Sequence, residues 1–162
     1  MRTWLRLLLV VLTVGGGFTG LSSTVGAFGT FEKYGLFAEL VGLVFMALYL
    51  FVVTAGLLFV HDSRRTRPLL VAFALQIPWV SLPVFEYHFA AGLYAAVTLG
   101  PPKLAGQLFT YELTGDLGAN WKFRFASVLE GPWSLGINVF ALLIYVLLQL
   151  SIRRFSLSQE PA

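Results

Sequence analysis

The sequence contains no cysteine among its 162 residues, and only 12% of the residues are charged. The missing thiols exclude disulfide scaffolds, thiolate metal sites and thiol redox enzymes. Average soluble proteins carry about one quarter charged residues, whereas this chain is 57% hydrophobic and has a mean hydropathy of +0.80. This composition excludes an ordinary soluble domain and predicts an integral membrane protein.

Motifs of several common enzyme sites are missing as well. The chain has no G-x-x-x-x-G-K-[ST] phosphate loop, no H-E-x-x-H and no G-x-S-x-G. Of its two histidines only His88 lies in an apolar segment, which argues against a bis-histidine haem site. We therefore predict no cofactor, no metal and no catalytic residues, and we favour a protein that is not an enzyme.

Four apolar stretches are long enough to cross a hydrocarbon layer of about 30 Å, which takes about 20 helical residues. They cover residues 4–25, 37–60, 69–91 and 132–152. The predicted fold class is an all-α membrane protein, a four-transmembrane-helix bundle that forms a single domain over residues 1–155. We expect residues 100–131 to form an outer loop and residues 156–162 to be a disordered tail.

Basic residues cluster at the ends of these stretches, so membrane topology explains them and no nucleic-acid partner is expected. The positive-inside rule places the side richer in lysine and arginine in the cytoplasm. This rule predicts a multi-pass protein of the plasma (inner) membrane, with both termini inside and the first and third loops outside. We expect the membrane to be bacterial. The seven residues on the inner side are Arg2, Arg6, Arg64, Arg65, Arg67, Arg153 and Arg154, against Lys33, Lys103, Lys122 and Arg124 on the outer side.

The first stretch has an alternative interpretation as a cleaved signal peptide, because a basic start and an apolar run precede Val25-Gly26-Ala27. The run is longer than a usual signal core, and it carries small residues on one helix face. Such faces let helices approach closely. The residues we assign to helix packing are Thr13, Gly16, Gly17, Gly20, Gly42 and Gly56.

The third stretch is irregular because it contains Pro78 and Pro83. Each interior proline removes a backbone hydrogen bond and kinks a helix. We expect a break between Pro83 and His88.

Residues 107–113 and 121–125 in the outer loop alternate or are rich in strand formers, and the turn-like residues 114–120 separate them. This pattern predicts a small β-hairpin that lies over the outer mouth of the bundle, with an amphipathic interfacial helix as the alternative. An isolated hairpin is marginal in water. We therefore expect its aromatic side chains to press on the bundle or on a partner: Phe109, Tyr111, Trp121, Phe123 and Phe125.

Ionisable residues inside a membrane are functional candidates by default. Glu39, Glu86 and His88 fall near the outer ends of their predicted helices, at the level of Ser134 and Asn138. These five residues predict an outward-facing polar pocket. The alternative is that the carboxylates reach the interface and are hydrated. On an ideal helix, Glu86 and His88 point about 200° apart and cannot share a ligand.

Three functions are compatible with this sequence. The first is a non-catalytic subunit or accessory protein of a membrane complex, which docks against another membrane protein or a second copy of itself. The second is a transporter or binding protein for a small solute or a proton, which uses the outer pocket. The third is a membrane enzyme. In each case the lipid bilayer is a partner.

Overall fold

The computed structural model describes residues 3–31, 35–103, 107–125 and 132–157. Helix α1 (Thr3–Val10), a π-helical turn (Val11–Gly15) and α2 (Gly16–Phe31) follow one another without interruption. Helix α3 (Leu36–His61) returns beside them. By length and composition, two helical segments are able to cross a membrane: Thr3–Phe28 and Leu36–His61.

The remaining described elements are one helix, six consecutive strands and a last helix. They are α4 (Arg67–Ala74), β1 (Pro78–Leu82), β2 (Phe85–Ala90), β3 (Leu93–Gly100), β4 (Thr110–Leu117), β5 (Asn120–Phe125), β6 (Ser134–Asn138) and α5 (Val139–Leu157). The strands form one antiparallel sheet in the order β4-β3-β6-β1-β2-β5.

The prediction of an all-α four-helix bundle is therefore wrong. The third apolar stretch begins as α4 but continues as β1 and β2, and the fourth begins as β6 before α5. A short apolar run fits a buried strand as well as a helix, so hydropathy located these segments without distinguishing their conformation. We expected a helix break between Pro83 and His88, but the helix already ends at Ala74, and Pro83 lies in the turn between two strands, β1 and β2.

The predicted outer hairpin is also wrong in its pairing. Residues 110–117 and 120–125 are strands, but β4 pairs with β3 and β5 pairs with β2. The residues 114–120 that we expected to form the turn belong mostly to these strands. The tail prediction falls largely on residues 158–162, which lie outside the described residues.

Strands β2 and β3 act as one long strand, and β4 and β5 act as another. The register is the same on both sides of their junction, because Phe85 pairs with Phe125 and Leu93 pairs with Leu117. At the junction the Gly118 amide donates to the Gly92 carbonyl at 2.6 Å. Gly92 has φ +91° and Gly118 has φ +149°, values that glycine adopts without steric cost. The pair of glycines therefore bends a continuous two-stranded ribbon.

The bend forces the sheet to curve. Ala90 and Leu93 are three residues apart and so lie within roughly 11 Å. Across the sheet, β2 and β3 are separated by β1 and β6, which in a flat sheet means roughly 14 Å. The sheet is therefore a trough, closed at the bend of the ribbon.

The helical pair packs against one side of this trough. Gly17 and Gly20 allow α2 to approach Tyr49 and Val53 of α3, and Gly56 of α3 lies against Thr13. The predicted small-residue face thus lies between the two long helices, with Gly42 also buried on α3. Gly16 instead meets the sheet at Gly92.

Aromatic side chains join α3 to strands β2 and β5. Phe45 stacks on Trp121 with ring centroids 4.4 Å apart, and Phe37 lies 6.4 Å from Phe123. Near the middle of α3, the Tyr49 hydroxyl donates to the Ala90 carbonyl at 3.2 Å. The strands thus run beside the half of α3 that begins at Leu36, and α4 and α5 pack together beyond the bend.

Candidate functional site

The two faces of the sheet differ completely in chemistry. In the register of the strands, residues of one face are apolar or tyrosine, and we call this the apolar face. The opposite face carries all charged side chains of the strands, and we call it the polar face. Its charged or hydrogen-bonding members are Trp79, Ser81, Glu86, His88, Tyr94, Thr98, Thr110, Glu112, Thr114, Asp116, Asn120, Lys122, Arg124, Ser134 and Asn138.

The polar face lines the inside of the trough. Asn120 of β5 donates from Nδ2 to the Tyr94 hydroxyl of β3 at 3.2 Å, although three strands separate β5 from β3 in the sheet. Trp79 and Tyr94 come within 5.6 Å between ring centroids across β6, where Gly136 has no side chain. Such cross-trough contacts are possible only on a concave side. We call this concave, polar space the basin.

A carboxylate and two cations occupy one wall of the basin. Glu86 accepts from Lys122 Nζ at 2.6 Å and from Arg124 Nε at 2.7 Å. The Glu86 side chain is 7% exposed, whereas those of Lys122 and Arg124 are 45% and 54% exposed. Burial of a carboxylate is tolerated when opposite charges compensate it. The buried carboxylate of the cluster is therefore neutralised. The cluster as a whole has a net charge of +1, carried by its two more exposed cations.

His88 follows Glu86 by two residues on the same face of β2 and lies closer to the bend of the ribbon. Its Nε2 is 3.1 Å from Asn120 Oδ1, and since Asn120 Nδ2 donates to Tyr94, the three side chains form one chain. Trp79 stacks on the imidazole with ring centroids 4.2 Å apart and an interplanar angle of 10°. These contacts fix the orientation of the ring and give the basin an aromatic wall.

Asn138 connects the basin to α5. Its Oδ1 accepts from the Ala141 amide at 3.2 Å, which caps the helix, and from the Ala95 amide of β3 at 3.3 Å. An asparagine at this position is a preferred N-cap. Asn138 is fully buried, yet its Nδ2 has no hydrogen-bond partner among the described residues.

Thr114 of β4 has the same property, because its buried Oγ1 lacks a partner within the described part of the chain. The register places Thr114 opposite Ala96 and Ala96 opposite Asn138. The two unpartnered polar atoms therefore flank a single methyl group on the concave face. Buried polar groups are almost always hydrogen-bonded, and these two atoms are exceptions among the described side chains.

A cavity of about 300 Å³ lies at the end of the trough away from the bend, one pleat from this row. Thr98, Thr110 and Ser134 supply hydroxyls, and Trp133 supplies an aromatic surface. Lys103 and Glu112 form a loose, exposed ion pair at 3.9 Å on its margin. The cavity forms the mouth of the basin.

The structure thus brings together four of the five predicted pocket residues, Glu86, His88, Ser134 and Asn138, on one face. Glu39 lies in the first turn of α3 instead, with no ion-pair partner among the described residues. Glu86 and His88 share a face because residues two apart in a strand do so. The alternation in F-E-Y-H-F-A (Phe85–Ala90) was the signal that could have identified this face.

Sequence reasoning missed Asn120, Tyr94 and Thr114, whose places in the basin depend on strand pairing. Of the predicted hairpin aromatics, Trp121 and Phe123 pack against α3, whereas Phe109, Tyr111 and Phe125 are exposed. Within the described ranges, no group of three or more histidine, aspartate or glutamate side chains could hold a metal ion. Comparisons with protein-family models, curated proteins and solved structures found no match.

Proposed function

We propose that this protein is an integral membrane protein that binds a small polar solute in an outward-open basin. Its anchor is the pair of long helices, α1–α2 and α3, whose outer surfaces expose apolar side chains along their whole length, such as Trp4, Val25, Leu43 and Leu57. Lipid is the environment in which such surfaces are stable.

The orientation follows from the arginines. Arg6 donates to the Val60 carbonyl at 2.6 Å, so the start of α1 lies beside the end of α3. The exposed residues Arg64, Arg65 and Arg67 follow directly, and the positive-inside rule assigns this end to the cytoplasm. The mouth of the basin lies beside the opposite end of α3 and therefore faces outward.

The cavity at the mouth of the basin is the observation that carries the binding proposal. The hydroxyls of Thr98, Thr110 and Ser134 line it, and a hydroxyl can donate or accept. A ligand that bonds to several of these hydroxyls carries oxygen atoms on more than one side, as polyols and monosaccharides do. The aromatic wall of Trp79 and Tyr94 complements the apolar faces of such molecules.

The charges of the basin support binding more than catalysis. Glu86 is held between two cations, and His88 is held by Asn120 and Trp79. A general base needs to be within hydrogen-bond reach of a proton that it removes. Here Glu86 and His88 already have partners in the protein, and we assign them to shaping the basin.

Isothermal titration of the purified protein with glycerol, myo-inositol and glucose tests the proposal. We expect at least one of them to bind, and Thr98→Val, which removes a hydroxyl that lines the cavity, to weaken that binding about 5- to 10-fold, the equivalent of one hydrogen bond. Thr54→Val is the matched control, because Thr54 is exposed on α3 and bonds to its own helix at Leu50. Absence of binding by all three probes, or equal binding by Thr98→Val, would refute the proposal.

A second candidate function is that of an accessory subunit. It is favoured by β4, whose Tyr111 and Leu113 are 82% and 73% exposed at the edge of the sheet. An edge strand offers unpaired backbone groups to another chain. Purification in mild detergent with a stoichiometric partner, lost on Leu113→Lys but kept on Leu57→Lys, would support this function.

A further inference from the structure

The apolar face of β3, β4 and β6 is exposed over much of its area. Its exposed side chains are Leu93, Val97, Leu99, Tyr111, Leu113, Leu117, Leu135 and Ile137. In a soluble domain the polar side chains of a sheet face water and the apolar ones face the core. Here the arrangement is reversed, with charges on the concave side and aliphatic side chains on the outside, as in strands that cross membranes.

The depth of the sheet follows from its contacts with α3. The 26 residues of this helix measure about 39 Å at about 1.5 Å per residue. Phe123 contacts Phe37 at the outer end, whereas Ala90 contacts Tyr49, roughly 18 Å further along the axis. If α3 crosses the membrane, strands that run between these two levels lie beside its outer half.

The apolar surface is also continuous from β6 into α5. Leu135 and Ile137 are followed by the exposed Val139, Leu143 and Leu150. The lengths of the five strand residues and of the helix Val139–Ile152 add up to roughly 37 Å. Aligned along the membrane normal, the strand and the helix would cover the thickness of a membrane, which neither covers alone.

Backbone groups in lipid must be hydrogen-bonded unless they border a water-filled cavity. The inner four strands of the sheet are paired on both sides. The free edges belong to β4 and β5, and the charged side chains of these strands, Glu112, Asp116, Lys122 and Arg124, all lie on the polar face. Both edges therefore border the basin, where hydration is available.

We infer that the apolar face of β3, β4 and β6 contacts lipid acyl chains, so that the sheet is embedded in the outer half of the membrane. The inference rests on the proposed membrane anchor and extends it. The basin then lies within the membrane thickness and opens only at its outer mouth. A solute in the basin is thereby surrounded by the sheet rather than by bulk solvent.

Site-directed spin labelling tests this inference, and the native sequence is suited to it because it has no cysteine. Single cysteines replace Leu113 and Ile137 on the apolar face, Leu57 on α3 and Thr110 at the mouth. The full chain is reconstituted into phosphatidylcholine–phosphatidylglycerol nanodiscs. Accessibility of each label to oxygen, which partitions into lipid, is compared with accessibility to a water-soluble nickel chelate.

Labels at Leu113 and Ile137 are expected to collide several-fold more with oxygen than with the nickel chelate, like the label at Leu57, whereas Thr110 shows the reverse. Nickel accessibility at Leu113 and Ile137, with Leu57 still in lipid, overturns the embedded sheet and leaves the anchor intact. Low accessibility to both reagents also overturns it, in favour of a protein partner. Nickel accessibility at Leu57 overturns the membrane anchor itself. Leu99→Cys replaces Leu113→Cys if that variant does not fold.

Discussion

The contact between Gly16 and Gly92 is where the long helices meet the bend of the sheet, and it leaves no room for a side chain. A Cβ at Gly16 would lie 2.1 Å from the Gly92 nitrogen, 2.5 Å from its Cα and 2.6 Å from the Ala91 carbonyl carbon. These neighbours are backbone atoms, which cannot rotate away. Gly16→Ala therefore requires the helix and the bend to separate by roughly 1 Å, a gap that forfeits a quarter to a half of the dispersion energy of the contacts.

The expected cost of Gly16→Ala is about 2–3 kcal/mol, at the upper end of the range for overpacked cores. The higher helix propensity of alanine returns at most about 1 kcal/mol of this loss. Gly26→Ala is the matched control, since Gly26 also lies in α2 and a Cβ there meets nothing within 4 Å. The free energy of unfolding in mixed detergent micelles, followed by tryptophan fluorescence, compares the two. Equal stability of Gly16→Ala and Gly26→Ala would show that the sheet does not contact α2 as described.

Two further substitutions test the basin by the same unfolding assay. Glu86→Gln leaves Lys122 and Arg124 facing each other without a counter-ion, and because both are about half exposed the expected loss is about 1–2 kcal/mol rather than the larger cost of a fully buried pair. Adding Arg124→Gln to Glu86→Gln restores the original net charge and should recover part of the lost stability. Glu39→Gln should leave the free energy of unfolding nearly unchanged. A double variant less stable than Glu86→Gln would contradict the charge argument. Asn138→Ala removes the cap of α5 and the acceptor of the Ala95 amide, so about 2–3 kcal/mol should be lost, and a loss below about 0.5 kcal/mol would contradict the cap.

The sequence was sufficient to locate the apolar segments and several polar residues of the basin, because both follow from composition along the chain. The interruption at Pro83 was predicted only as a break in a helix, whereas the helix ends at Ala74 and Pro78 is the first residue of a strand. What hydropathy could not distinguish was a helix from an apolar strand over residues 78–90. The two differ in period, and only the short alternation in Phe85–Ala90 carried that information.

The row of Thr114, Ala96 and Asn138 was beyond prediction for a different reason. Thr114 and Asn138 lie 18 and 42 positions after Ala96 along the chain, and Ala96 pairs with both. A register shift by one residue moves every side chain of a strand to the other face. Such a site exists only after β3 has selected both of its neighbours, so no local pattern in the sequence could have identified it.

The reversed sheet explains why apolar and charged side chains alternate along the edge strand β4. In β4, Tyr111, Leu113 and Leu117 alternate with Glu112 and Asp116, and the register assigns the first set to the exposed apolar face and the second to the basin. A sheet of this kind stays folded only where its outside meets an apolar medium and its inside meets water or a polar ligand. The alternation along β4 therefore links the proposed lipid contact to the proposed solute-binding basin. A strand that turns its polar side chains into the basin must turn its apolar side chains outward, where lipid can cover them.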